Sequence, residues 1–408
     1  MVKIGTFEID RWIMTYGLGV KHNLASSYCA SISINELSLL FAPGNGDGGK
    51  NPWSTILARP MSYGPLKGSE PLRQNISHLY SKDSPDHVPA DSILITPGGS
   101  LANFIAVYAL VGPADHVIVQ YPTYQQLYAL PAAVGAEVSL WKARQDEGWA
   151  LHVSELHRLV RPNTKMIILN NPVNPTGAII PRSQLDAIVA LAAQHSITIL
   201  CDEIYYPLFH SISSTDPERP PSILSLGYQN VIATSTLSKA YSLAGIRIGW
   251  IASRDPVILD LCVNARAYAL ITVSQLDDYL AAFALDPSRV GTLVANNITL
   301  VRRNLELVQG LIDRHLSICQ WTRPVATPIG FIKLTKSGRP VDDVEFCTRL
   351  LQRKSVLLVP GSKCYGNGEE FQGYVRLGFG CQTKQLQEAL AALESFLDEE
   401  YGDLPVLQ

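Results

Sequence analysis

Four short segments of this 408-residue sequence carry side chains whose types and order suit chemistry on one small ligand. Thr236-Leu237-Ser238-Lys239 follows an apolar run at 231–235. A lysine at the end of a buried strand can lose its proton at moderate pH and attack an aldehyde. Asp202-Glu203-Ile204-Tyr205 follows a second apolar run that ends in Cys201. A carboxylate there costs desolvation unless something cationic meets it. Thr96-Pro97-Gly98-Gly99-Ser100 stands just before a helical pattern, where glycines and free N–H groups favour a phosphate. Asn170-Asn171-Pro172-Val173-Asn174-Pro175-Thr176-Gly177 is a loop that can aim amide donors into a cleft. Each has a plainer reading alone: a turn for Gly98-Gly99, a loop for Asn174, a helix cap for Asp202, a solvated surface lysine for Lys239.

Jointly the groups describe pyridoxal 5′-phosphate. Its aldehyde needs an amine, Lys239, and its ring nitrogen stays protonated beside a carboxylate, Asp202. Its phenolic oxygen needs donors, for which Tyr205 and Asn174 are candidates. Its phosphate needs backbone N–H groups, hydroxyls and a cation, which Gly99, Ser100, Ser238 and Arg247 offer.

These residues must be held at the ends of regular elements. Strand patterns at 93–96, 116–120, 137–141, 166–170, 197–201, 231–235 and 246–251 alternate with helical stretches such as 101–111 and 184–194. Continuous apolar strands separated by helices predict an α/β fold with a mostly parallel sheet covered on both faces. Open sheets of this kind bind ligands at the carboxyl ends of their strands. A long helix is predicted over 290–313, then strands at 331–334, 356–359 and 374–379 with helices at 344–353 and 385–399. That C-terminal third reads as a smaller α+β domain. The expected division is a segment at 1–45, a large cofactor domain at 46–285 and a small domain at 286–408, with Gly44–Gly49 as a flexible crossing stretch.

With these motifs in place, the sequence resembles the fold-type I pyridoxal-phosphate enzymes of the class I/II aminotransferase group, over roughly 60–400. Asn174-Pro175-Thr176-Gly177, Asp202-Glu203-Ile204-Tyr205 and Ser238-Lys239 with Arg247 stand in that family's order. The resemblance implies an aspartate-aminotransferase-like fold with a seven-stranded type of sheet. It also implies that Lys239 forms the Schiff base and moves the proton from the substrate Cα, most simply in transamination through an external aldimine. Tyr124 falls where the family stacks an aromatic ring on the cofactor, and Arg376 where it receives the substrate α-carboxylate. Tyr63 resembles the tyrosine that reaches the phosphate of a neighbouring subunit, which implies a homodimer with a shared site.

Two departures from that pattern lie near the substrate. Asn23–Ser31 reads Asn23-Leu24-Ala25-Ser26-Ser27-Tyr28-Cys29-Ala30-Ser31, with Ser26 and Ser27 where glycine-type backbone is usual, so both serines are candidate substrate-wall residues. Ile246 replaces a tryptophan common before the phosphate arginine. The segment Phe7-Glu8-Ile9-Asp10-Arg11-Trp12 is similar to the capreomycidine-synthase-like branch, which implies a lyase or cyclase as the alternative reaction. A substrate with a second carboxylate would need a further cation, for which Arg266 and Arg59 are the candidates.

Composition narrows the classes further. Hydrophobic residues make up 47% and charged residues 17%, enough for a substantial core and too apolar for disorder. With 33 basic against 36 acidic residues the net charge is −3, which gives no general attraction to nucleic acid or anionic membrane. Seven cysteines without a C-x-x-C pair suggest neither a zinc cage nor a disulfide framework, so no metal and a cytoplasmic location are expected. No basic region or spare module suggests a DNA-binding regulator.

Overall fold

The apolar runs of the first two thirds form one seven-stranded sheet. Across the sheet the order is Ile93–Thr96, Gly249–Ala252, Val231–Thr236, Thr198–Asp202, Thr164–Asn170, His116–Tyr121 and Glu137–Lys142. Gly249–Ala252 is antiparallel to both neighbours, and the other pairs are parallel. A computed structural model describes residues 4–40, 53–82, 84 and 86–407 of the chain. The Gly44–Gly49 stretch lies outside the described residues.

Period-2 alternation along each strand splits its side chains between two cores. Ile167, Leu169, Ile199, Cys201, Val231 and Ala233 enter one core, whereas Met166, Ile168, Leu200 and Ile232 enter the other. The central strands are therefore apolar throughout and leave their polar residues to the ends. There the register sets Asn170 opposite Asp202, Asp202 opposite Thr234, and Thr236 opposite Gly249.

Beside this sheet lies a smaller antiparallel one, ordered Arg339–Pro340, Ile329–Lys336, Tyr374–Gly378 and Val359–Pro360, with Cys319–Trp321 on the other side of Ile329–Lys336. Helices Asp343–Lys354 and Thr383–Glu399 carry buried stripes, Phe346, Cys347 and Leu350 on the first and Leu386, Leu390 and Leu393 on the second. Val290–Arg314 reaches both regions. Asn297 donates to the Ala240 carbonyl, and Asn304, about two turns further on, donates to the Phe379 and Cys381 carbonyls.

The N-terminal segment threads between the two sheets. His22–Asn23 pairs in parallel with Val356–Leu357, and Gly378 N–H donates to the Leu24 carbonyl at 2.7 Å. Further on, Cys29 N–H donates to the Lys239 carbonyl and Ile32 N–H to the Ser242 carbonyl. Gly378 has to be glycine, because a Cβ there would run into the Ser26 carbonyl. This stitching carries Ala25, Ser26 and Ser27 to the edge of the large sheet.

Two sequence expectations need correction. The strand expected at 246–251 begins only at Gly249, because Ala244–Ile246 makes a 3₁₀ turn and Arg247 takes a left-handed φ of 51°. Ile246 and Ile248 imitate a strand while packing a turn. The strand expected at 356–359 is two: Val356–Leu357 joins the N-terminal segment and Val359–Pro360 joins the smaller sheet. A continuous apolar run cannot reveal a change of pairing partner. No helix among the described residues is long and apolar enough to cross a membrane.

Candidate active site

Lys239 stands three residues beyond the strand Val231–Thr236, in a short loop rather than in a helix. Its Nζ donates to Ser27 Oγ at 2.9 Å. Burial first, and the Arg376 charge second, bring its pKa down to about 8 from the usual 10.5; Asp202 opposes the shift. Competitive acetylation of the cofactor-free chain, read by peptide mapping, is expected to show Lys239 gaining reactivity through about pH 8, below the range of an ordinary lysine. A Lys239 profile with its midpoint above 10 would contradict the desolvated site.

Asp202 ends its strand fully buried. Asn103 Nδ2 donates to its Oδ2 at 3.0 Å and Ile204 N–H donates to its Oδ1 at 3.2 Å. Thr234 Oγ1 in turn donates to Asn103 Oδ1 at 2.6 Å, which fixes the amide's orientation. Burial raises the Asp202 carboxyl to about 6, against the lowering effects of Asn103, the Ile204 amide and Lys239. A cation brought to the free side of this carboxylate would relieve that cost. Glu203, next in sequence, turns away and accepts from Ser222 Oγ and Ile223 N–H.

Tyr205 is also fully buried, and its hydroxyl has no hydrogen-bond partner among the described residues. Burial pushes this phenol up to about 12, offset in part by the Arg376 charge and, less, by the nearby Ser27. A lone buried hydroxyl costs free energy unless a ligand satisfies it. Tyr124, which precedes the helix Gln125–Ala133, lies edge-on to Phe7 at 5.2 Å.

At the start of the helix Gly99–Leu110 no side chain caps the first turn, so its leading N–H groups stay open. Arg247 packs against this turn: a Cβ on Gly98 would come within 2.5 Å of its Nη2. Arg247 Nη1 also donates to Ser238 Oγ at 3.2 Å. Gly99, Ser100, Ser238 and Arg247 therefore converge on one place. This combination of a helix N-terminus, hydroxyls and a guanidinium is an anion cradle.

Arg376 lies in the strand Tyr374–Gly378, only 1% exposed. Its Nη1 donates to Tyr365 Oη at 2.7 Å and to Asn174 Oδ1 at 3.2 Å, and its Nη2 donates to the Ala25 carbonyl. Nε is buried with no partner. Tyr365 Oη donates to Asn174 Oδ1 at 2.9 Å, closing a three-member network across the two sheets.

One chain thus gathers Lys239, Asp202, Tyr205, Asn174, Ser27 and Arg376, with the Gly99–Arg247 cradle alongside. Tyr63 does not join them. It is 78% exposed beside the Tyr268–Thr272 stretch. Ser26 offers its backbone next to Gly378 rather than a side-chain contact to Lys239. Arg266 belongs to the scaffold, since its guanidinium is taken up by the Ile95, Leu66 and Ile271 carbonyls. Arg59 lies in the cleft with Tyr63 and acts on Asp278, away from Lys239.

Sequence reasoning misses Asn103 and Tyr365. A faint signal exists for Asn103, the lone amide in the apolar helix Gly99–Leu110. Tyr365 gives none, because its partners lie 11 and 191 residues away.

The orphan Tyr205 hydroxyl, the uncapped cradle and the carboxylate–amine pair fit pyridoxal 5′-phosphate group for group. The comparisons with known proteins agree. The family model for aminotransferase class I and II matches residues 59–393. A capreomycidine synthase of Streptomyces vinaceus is 31% identical over 82% of this chain and 80% of its own length. An aspartate aminotransferase of Thermotoga maritima is 27% identical over 83% of this chain and 84% of its own. A pyridoxal-phosphate-dependent aminotransferase structure from Streptococcus suis superposes with a TM-score of 0.85 at 34% identity, covering 97% of this chain and 98% of that one.

Proposed function

The chain belongs to the class I and II aminotransferase family, and on that footing we propose that it transfers the amino group of an α-amino acid to a keto acid. Pyridoxal 5′-phosphate, the family's cofactor, supplies an aldehyde that captures amines and a ring that accepts an electron pair. The observation that carries the reading is Lys239: a desolvated amine, with its carboxylate counterpart Asp202 and an arginine fork acting on it.

In this reading Lys239 Nζ would take the proton from the substrate Cα and hold it for return. A pKa of about 8 lets it do both near neutral pH. Ser27 holds the amine toward the substrate side. Asp202, kept in place by Asn103, supplies negative charge to the ring nitrogen. Tyr205 and Asn174 would offer hydrogen bonds to the phenolic oxygen, Tyr124 would supply an aromatic neighbour to the ring, and Gly99, Ser100, Ser238 and Arg247 would hold the phosphate. Arg376 receives the α-carboxylate, with Asn174 and Tyr365 aiming its fork. We place the domain limits near residues 45 and 285.

A second copy of the chain completes the proposal. Met61, Tyr63, Leu66, Tyr268 and Ile271 are apolar and more than half exposed on one chain. Burying them between two copies would bring Tyr63 to the other copy's phosphate cradle. The seven unpaired cysteines fit a reducing cytoplasm.

Two observations favour a second reaction. The chain is 31% identical to a capreomycidine synthase, and a serine stands against Lys239 where the family's usual wall is backbone. The same deprotonated substrate could lose a side-chain substituent or close a ring. A panel of amino acids separates the two outcomes. Release of a keto acid with conversion of the cofactor to its amino form is expected. Retention of the aldehyde form, with an eliminated or cyclised product, would overturn transamination in favour of the lyase.

A further inference from the structure

The charges that act on Lys239 Nζ are, in falling order, Arg376, Asp202, Arg247 and Asp10. Three of them have work in the reading above: Arg376 toward a carboxylate, Asp202 toward the ring nitrogen, Arg247 toward the phosphate. Asp10 has none. It has no ion pair or hydrogen bond among the described residues, and its side chain is open to solvent in the single chain.

Asp10 is nevertheless not a drifting surface acid. It belongs to the helix Glu8–Tyr16, which is pinned at both ends of its first turns. Glu8 N–H donates to Gln125 Oε1 at 2.9 Å, Gln125 Nε2 donates back to the Thr6 carbonyl, and Phe7 lies against Tyr124. Trp12 is buried and its Nε1 donates to the Leu358 carbonyl at 2.9 Å. Asp10 is thereby held where its charge acts on Tyr124 and where Lys239 and Arg376 act on it. Partial desolvation raises its carboxyl pKa, and the charges opposing that shift are Lys239 and Arg376.

We propose that Asp10 receives a cationic group, ammonium or guanidinium, on the side chain of the amino-acid substrate. The inference rests on the amino-acid-converting reading above and names its substrate class. A substrate anchored by its carboxylate at Arg376 and by its amine near Lys239 would extend its side chain toward Asp10, which among the four charges acting on Lys239 has no partner among the described residues. A second carboxylate there would meet repulsion from Asp10, and Arg266 is already committed to backbone carbonyls. The aspartate-type relatives therefore do not set the substrate expected for this chain.

The test uses the cofactor-loaded enzyme and ligands that carry no α-amine, so that binding is read without turnover. Calorimetric titration compares 5-guanidinopentanoate, its neutral isostere 5-ureidopentanoate, and glutarate. The guanidino compound is expected to bind roughly tenfold or more tighter than the ureido compound, the scale of a charge-assisted hydrogen bond. Asp10→Asn is expected to collapse that ratio to within about threefold, while Asp10→Glu keeps a preference for the cation. A wild-type ratio near one, tighter glutarate, or an unchanged ratio in Asp10→Asn would overturn the inference. An amino-acid panel separates ammonium from guanidinium through lysine, ornithine and arginine, with citrulline as the neutral control. Turnover of neutral amino acids with all three cationic ones inert would overturn the role of Asp10 and leave the amino-acid reading standing. Asp10-dependent binding of 5-guanidinopentanoate by an enzyme that converts no amino acid would keep the cation site and sink the reaction.

Discussion

Lys239→Ala is expected to fold normally and to lose turnover by about 10⁴-fold or more. General acid–base catalysis alone accounts for roughly 10²–10⁴ of that, and loss of the nucleophilic amine adds to it. Folding survives because the amine contributes little stability. Its pKa falls from 10.5 to about 8 on folding, so its charged form is disfavoured in the native chain. Between those two values the unfolded chain holds more protons, and stability rises with pH; below about 8 the full cost of the charge is borne. Removing the side chain removes that cost and one hydrogen bond to Ser27. Unchanged far-ultraviolet dichroism with absent turnover is the expected pair of measurements. Borohydride reduction of the loaded wild-type enzyme should place the pyridoxyl group on the peptide containing Lys239. Its appearance on another lysine would refute the assignment.

Arg376→Lys is expected to weaken amino-acid affinity by about 10–150-fold, with a much smaller effect on cofactor affinity. Charge-assisted hydrogen bonds contribute roughly 1.5–3 kcal/mol, and tenfold in affinity corresponds to about 1.4 kcal/mol. The lysine keeps the positive charge but loses the planar fork that meets a carboxylate with two parallel bonds. It also cannot serve the Ala25 carbonyl on one arm and Tyr365 with Asn174 on the other. A titration with an unreactive carboxylate analogue reads substrate affinity, and cofactor fluorescence reads the other. Equal weakening of both would mean that Arg376 supports the whole site rather than the carboxylate.

The two expectations differ in how visible their residues are in the sequence. Lys239 follows an apolar strand, and its partners Asp202 and Arg247 occur in local motifs of a few residues each. Local composition reports such positions well, because a buried strand that ends in a charged residue is unusual. Arg376 is named by family resemblance, yet its setting is not legible. Tyr365, Asn174 and Ala25 come from three distant parts of the chain, and no local pattern joins them. Asp10 appears in the sequence only as one member of the Phe7–Trp12 segment; its electrostatic contact with Lys239 depends on how the helix Glu8–Tyr16 docks. Arg266 shows the reverse case, an arginine whose sequence suits a ligand but whose guanidinium holds backbone carbonyls.

The strand expected at 246–251 fails for a related reason. Hydrophobic period reports which residues are buried, not whether the backbone is extended, and Arg247 needs a left-handed turn to aim at the Gly98–Gly99 bend. The same limit applies to 356–359, where one apolar run serves two sheets.

By itself the sequence indicated the α/β class, most of the strands of the large sheet, the cofactor and a set of residues at the strand ends proposed to attend it. Those follow from short-range patterns of burial and charge, which a linear chain displays directly. The tertiary structure decided which side chains meet: Ser27 with Lys239, and Tyr365 and Asn174 with Arg376. Those contacts span up to 351 residues of chain, as between Arg376 and Ala25. Such pairings exist only once two separately packed sheets and the N-terminal segment have closed around one cleft.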